Sequence, residues 1–341
     1  MKIYKCFLLL VLVFFSCKDK SVAPTGDPVN DNYVIAYDTP GNGDIYLYNS
    51  STKSLVNVTS NVVDTFYFAY VSSFSDDGHE LLFTLDYRKR GTEDLLFCDR
   101  DDIFSYSLIT GQTIRITDTE FRETNPKYSK DKKTMVYQSF EKGYSDIYII
   151  KQDLDNKNPV FIDTGWYPTF LSDDNQILYS SNPNHSPEFY LYNLKDRTKE
   201  KLININGSDP SVPTDNKMFV FKGSDGIYKY DFTTRTATLL IPNPNTTGFD
   251  INLHPKLSGD SKYILYINTL GPMSHAYLYS FESKNKIDMG IVFVGDFTKD
   301  SKNVVSLQRD GMHLFNIDSQ RDSVLLPYQI LSFGMVVSSI K

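Results

Sequence analysis

Cysteine is scarce in this chain: there are three, and Cys6 and Cys17 both fall in the first 17 residues. Only Cys98 stands in the body, so no internal disulfide can brace it and the fold must rest on its core. Helical patterning is missing too. No long segment places apolar residues at i, i+3 and i+4 spacing. A positive surplus is also absent, with 35 Lys and Arg against 42 Asp and Glu, formally −7. That excludes the basic face by which nucleic-acid binders are known, and the short run "YRKRG" (87–91) reads as solvated loop charge. The sequence lacks a G-x-S-x-G elbow, an H-E-x-x-H pair, paired C-x-x-C and a G-x-x-x-x-G-K phosphate loop. Its five histidines (His79, His185, His254, His275 and His313) share no ligand spacing, so no metal and no cofactor is expected.

What is present is aromatic and branched. The chain of 341 residues holds 24 Tyr and 23 Phe but only one Trp. Tyr, Phe, Val, Ile and Thr suit pleated, half-buried surfaces, and the fold class expected is all-β.

The first residues read as an address. In "MKIYKCFLLLVLVFFSC", Lys2 and Lys5 precede an apolar run from Cys6 to Phe15, then Ser16 and Cys17. The run is too short for a permanent membrane span and has the charge, apolar stretch and small residue of a secretory signal. With Cys directly after the small residue it resembles a bacterial lipoprotein signal, although Phe14 and Phe15 stand where that motif has Leu and a small residue. The resemblance implies cleavage after residue 16 and a lipid on Cys17, leaving 33 basic and 42 acidic residues, net −9. Residues 17–32, polar with two prolines, read as a flexible tether. The chain is then held at a bacterial envelope membrane, on its periplasmic or surface face, touching lipid through the anchor only.

The body, 33–341, repeats itself. An acidic turn recurs at Asp31, Asp77, Asp131, Asp174, Asp215, Asp260 and Asp300. An apolar strand follows each turn, with an aromatic at Tyr37, Phe83, Tyr137, Tyr179, Phe221 and Tyr266 and Ser306 in the last copy. Then comes a third element seven times: "DIYLYN", "DIFSYS", "DIYIIK", "EFYLYN", "GIYKYD", "HAYLYS" and "GMHLFN", the last with His313 in the aromatic slot. A fourth element closes each unit as a hairpin. Four strands per unit of 40–45 residues is a propeller period, and lone blades must pack in a ring to bury both faces. The reading is seven four-stranded antiparallel blades, with six as the alternative. "LSFGMVVSS" (331–339) is expected to supply the missing inner strand of the first blade and close the ring.

Turns such as "FSDDG", "YSKDK", "LSDDN" and "LSGDS" before each strand, and the "IY" of the third element, resemble the TolB-type, WD-like propeller repeat over residues 28 to 340. That resemblance implies an envelope protein that binds partners without catalysis. It does not extend to the α/β domain that such a protein carries before its propeller. The Asp residues have a local reason in bonding turn N–H groups, so they are read as turns rather than calcium ligands.

Function is expected where copies differ. The segments before each inner strand read as loops between blades, gathered at the channel mouth. They hold Trp166, Tyr167, Arg122, Glu123, Asp209, Asp250 and His254, an aromatic and mixed-charge set suited to binding a protein or glycan. The alternative is a propeller-type lyase acting on uronate-rich glycans with a His-bound metal, for which only His254 is well placed. A second outlier is the insertion "LDYRKRGTEDLLFCD" (85–99).

Overall fold

The computed structural model describes residues 32–39, 43–62, 68–87, 100–152, 158–181, 187–244, 252–270, 273–327 and 334–339. The expected signal with Cys17, all of the tether but Asn32, Asp31, Cys98, His185, Asp250 and most of the insertion lie outside them.

The described residues are strands joined by turns, with no helix among them. β1 (Tyr33–Asp38), β2 (Ile45–Asn49) and β3 (Leu55–Asn57) come first. β4 (Phe68–Phe74), β5 (Glu80–Asp86), β6 (Asp101–Ser107) and β7 (Thr113–Arg115) form one four-stranded sheet. β8 (Glu123–Tyr128), β9 (Thr134–Ser139), β10 (Asp146–Lys151) and β11 (Val160–Thr164) form the next. β12 (Trp166–Phe170), β13 (Gln176–Ser181), β14 (Glu188–Asn193) and β15 (Thr198–Lys201) follow, then β16 (Gly207–Ser211), β17 (Met218–Gly223), β18 (Gly226–Asp231) and β19 (Thr236–Pro242). A seven-stranded sheet runs through β20 (Asn252–Leu257), β21 (Tyr263–Leu270), β22 (Met273–Ser280), β23 (Lys286–Phe297), β24 (Asn303–Gln308), β25 (Gly311–Asn316) and β26 (Arg321–Leu326). In it β23 is long enough to serve twice. Its first half pairs with β22 and its second half with β24. Finally β27 (Met335–Ser339) returns to β1, giving the order β27-β1-β2-β3. The C-terminal segment thus supplies the inner neighbour of β1, paired from Tyr33 opposite Ser339 to Tyr37 opposite Met335. β27 also lies against β4 on one side and β23 on the other. Antiparallel four-stranded units stacked on one another make the architecture of a β-propeller.

The repeated aromatics meet across strands. Tyr37–Tyr46, Phe83–Phe104, Tyr137–Tyr148, Tyr179–Tyr190, Phe221–Tyr228 and Tyr266–Tyr277 are each cross-strand partners. Their rings stack at 5.4–6.0 Å with interplanar angles of 14–25°. Such pairs are the unit of sheet stabilisation, and one ladder recurs in six units.

The acidic turns are built as local physics requires. Asp77, Asp131 and Asp260 each accept from a hydroxyl two residues earlier (2.6–2.7 Å) and from the N–H two residues later (3.0–3.2 Å). In the fourth copy the anchor is Asp173, which accepts from Asn175 N, and not Asp174 as the spacing suggested. Asp174 sits one place on, at φ 57°. There its carboxylate accepts from Lys130 N (2.6 Å) and Asp131 N (3.1 Å) of the preceding turn. Either Asp of "SDDN" satisfies the pattern, and only the hydrogen bonds separate them.

The seventh unit departs from the ladder. Ser306 faces His313, whose Nδ1 lies 2.7 Å from Asp322 Oδ2 and Nε2 3.0 Å from Asp310 Oδ1. Ser, His and Asp share this sheet, yet Nε2 is taken by Asp310 and Ser306 Oγ accepts from Gln308 at 3.2 Å, so no nucleophile–base pair forms. Burial alone disfavours the charged imidazole, but the bond it donates to Asp322 and the charges of Asp322 and Asp310 outweigh it and raise the His313 pKa. A raised folded-state pKa adds stability that is full below the unfolded value of about 6.5 and fades as pH rises through the folded one. The wild type is therefore expected to lose melting temperature relative to His313→Gln as pH goes from 6 to 9. A pH-independent gap between the two would show that the charge of His313 is not what stabilises the hairpin.

Candidate functional site

The segments read as loops are here the innermost strands β8, β12, β16 and β20. Each carries an extra residue that shifts the register by one: between Thr124 and Lys127, Trp166 and Thr169, Ser208 and Ser211, and Leu253 and Lys256. Each bulge holds one residue in the left-handed region: Asn125 (φ 53°), Tyr167 (55°), Asp209 (52°) and His254 (50°). Each of these precedes a buried proline: Pro126, Pro168, Pro210 and Pro255. An innermost strand has a neighbour on one side only, so a proline without an N–H is tolerated there. The same bulge in four consecutive sheets is a built feature, and left-handed non-glycine residues gather at sites where strain is used.

The bulges open on a cavity of about 620 Å³. Its lining comes from the inner strands β4, β8, β12, β16, β20 and β27 and from the end of β23. Asn125, Tyr167, Asp209 and His254 all face it. His254 Nδ1 stands 3.6 Å from Asp209 Oδ2, and Lys256 Nζ 3.2 Å from Asp296 Oδ2. Burial, with the Asp209 charge beside it, raises the Tyr167 pKa. A buried amide braces two bulges at once: Gln138 Oε1 accepts from Asn125 Nδ2 (2.6 Å) and Tyr167 N (3.1 Å), while Gln138 Nε2 donates to Ser145 Oγ (2.7 Å). A second cavity, about 890 Å³, lies between β19 and the outer part of the β21–β23 sheet, against the turn at Ser283–Asn285, and carries no such ring of bulges.

Of the residues singled out by sequence, Tyr167, Asp209 and His254 come together at the first cavity. Trp166 does not line it; it is half-buried opposite Ser180, just before the bulge that turns Tyr167 to the cavity. Arg122 and Glu123 belong to another cluster. Arg122 Nε bonds Asp101 Oδ2 at 2.9 Å, and Arg100 and Arg115 converge on buried Asp102 at 3.0 and 2.5 Å. Glu123 is buried, and loss of water pushes its pKa up to about 7, with Asp102 adding to the rise while Thr117, Thr119 and Arg115 oppose it. Asp250 lies outside the described residues. Sequence reasoning missed Asn125, Lys127, Gln138, Lys256 and Asp296. A signal existed: "NPKY", "YPTF", "DPSV" and "HPKL" repeat Pro three residues before each turn serine or its equivalent.

Among the described residues no three His, Cys, Asp or Glu side chains converge to hold a metal. The cavity can bind: it offers hydroxyls, three ammonium groups, three carboxylates, an imidazole and one exposed phenol, and Lys299 stands 3.6 Å from Asp76.

No protein-family model matches the sequence, and no curated protein matches it. Solved structures do match in shape. TolB from Acinetobacter baumannii is 17% identical with a TM-score of 0.54, covering 90% of this chain and 82% of that one. An oligogalacturonate lyase in complex with manganese is 13% identical with a TM-score of 0.59, covering 87% of this chain and 85% of that one. A prolyl endopeptidase is 10% identical with a TM-score of 0.60, covering 90% of this chain and 50% of that one. The chain therefore has a TolB-like β-propeller fold, and proteins of different chemistry share it.

Proposed function

We propose that the chain is a lipid-anchored envelope protein whose seven-bladed propeller, closed by the C-terminal strand, holds a protein or glycan partner at the mouth of its channel without catalysis. The anchor is Cys17, the signal 1–16 and the tether 17–32. The seven-blade reading is supported by the length of β23, which pairs with β22 through its first half and with β24 through its second. The observation that carries the binding reading is the cavity itself, where one polar bulge residue from each of four consecutive inner strands faces the same space. Pockets with a few convergent polar groups are the usual place for a ligand.

The second reading is a metal-assisted lyase of uronate-rich glycans. It is favoured by the shape shared with the manganese-bound lyase and by His254 standing 3.6 Å from Asp209 in the cavity. The fold alone does not choose.

The test compares proteins captured from crosslinked envelope by the wild type and by the double variant Tyr167→Ala, His254→Ala. Both must first melt alike. One defined partner held by the wild type and lost by the variant is the expected result. The same set captured by both would overturn the channel-mouth reading. Release of unsaturated uronate products on addition of manganese would replace it with the lyase.

A further inference from the structure

Register sets one residue of each inner strand at the same level of the channel. Ser73, Lys127, Thr169, Ser211, Lys256 and Asp296 face Leu82, Val136, Leu178, Val220, Leu265 and Val305, and Val336 completes the set opposite Ala36. Every partner stands one place before the ladder position of its strand, so the level is structurally the same in all seven. All seven side chains line the cavity.

The charges of this level do not cancel. Lys256 is paired with Asp296 at 3.2 Å. Asp209, on the bulge, stands 3.6 Å from His254 Nδ1. Lys127 is half-buried in the wall, and no ion pair or hydrogen bond holds its ammonium among the described residues. Loss of water and the nearby charge of Lys256 lower its pKa to about 8, with Asp209 opposing them. A part-dry cation without a counter-ion is costly, and an anion brought into contact relieves that cost. Around Lys127, Ser73 and Thr169 contribute hydroxyls, Asn125 an amide, and Tyr167 with Pro168 an apolar wall.

We propose that Lys127 anchors a carboxylate-binding subsite inside the channel, which takes the single carboxylate of a small organic acid, with the hydroxyls and Tyr167 receiving the rest of it. A monoanion matches the one ammonium of this level that has no direct partner among the described residues. A phosphate dianion would leave excess negative charge beside Asp209 and Asp296. The proposal deepens the channel-mouth reading and rests on it.

The experiment uses the full chain with acetate and lactate as probes, and chloride and phosphate at equal ionic strength as controls. Acylation of Lys127 by an amine reagent is followed by mass spectrometry from pH 6.5 to 9.5. Acetate and lactate are expected to protect Lys127 saturably and to move the midpoint of its labelling upward by about one unit. Lactate binding, read by calorimetry, is expected to fall at least tenfold in Lys127→Met, to survive in Lys127→Arg, and to weaken as pH rises through 8. Protection equalled by chloride is screening only and overturns the subsite, as does unchanged lactate affinity in Lys127→Met. Partner capture that fails in the Tyr167 and His254 variant while lactate does not bind refutes the subsite alone. Saturable lactate binding with unaltered partner capture refutes the mouth reading alone.

Discussion

Deleting residues 331–341 is expected to remove most of the stability of the body. β27 is the inner neighbour of β1 across five residue pairs, and it also packs on β4 and β23. Met335 is 2% exposed, and Val336 and Val337 pack against two different core clusters. Burying such side chains is worth about 1.5–3 kcal/mol each. The deletion also exposes the edge of β1 and strips its backbone partners, including the bond from Asp38 N to Gly334 O at 3.3 Å, together with that from Gly334 N to the Asp38 side chain at 3.0 Å. The sum, roughly 5 kcal/mol or more, compares with the whole stability of an ordinary domain. Thermal or denaturant unfolding of the truncated chain should show a broad, early transition or none, and a synthetic peptide of residues 331–341 should restore it in trans. A melting temperature equal to that of the full chain would mean that this pairing contributes nothing and that the ring is not closed there.

The second large effect is expected in the aromatic centre between the sheets of β12–β15 and β16–β19. Phe219 is fully buried, with ring centroids of Phe189, Phe221, Tyr230 and Phe232 at 5.2, 5.5, 5.1 and 5.6 Å. Phe189 comes from β14 and the others from β17, β18 and the turn after it. Phe219→Ala would leave a void ringed by stiff aromatic groups that cannot collapse into it. The loss should be about 3–5 kcal/mol, and Phe219→Leu should lose much less. Chemical denaturation reads both. A loss below about 1 kcal/mol for the alanine variant would mean that these sheets do not share a common core. The two experiments are complementary, since one removes the strand paired with β1 and the other removes packing between two neighbouring sheets.

Much of the architecture was legible because its causes are local. The two aromatic positions of each unit were visible at period two, and the same alternation brings them face to face as stacked pairs. The acidic turns were visible because an Asp that bonds the N–H two residues on needs only its own neighbours. The departure of the last unit was visible in Ser306 and His313, although the two carboxylates that hold the imidazole were not.

The site was less legible. Tyr167 and Trp166 are adjacent, and the sequence makes the tryptophan the more conspicuous. One left-handed residue in a bulge decides which of them faces the channel. Arg122 and Glu123 carry the charges expected of a mouth, yet Arg122 stays exposed and pairs with Asp101, while Glu123 is buried near Asp102. Lys127 was invisible as an outlier, because a lysine before a turn is ordinary until its surroundings are known.

By itself, then, the sequence determined the all-β class, the repeat, the ladder positions and the turns, since each is written in the local pattern of a strand or a turn. Tertiary structure alone decided which side chains share the cavity and which charge there goes unmatched. Those depend on register between strands far apart in the chain, where one inserted residue turns every later side chain to the opposite face.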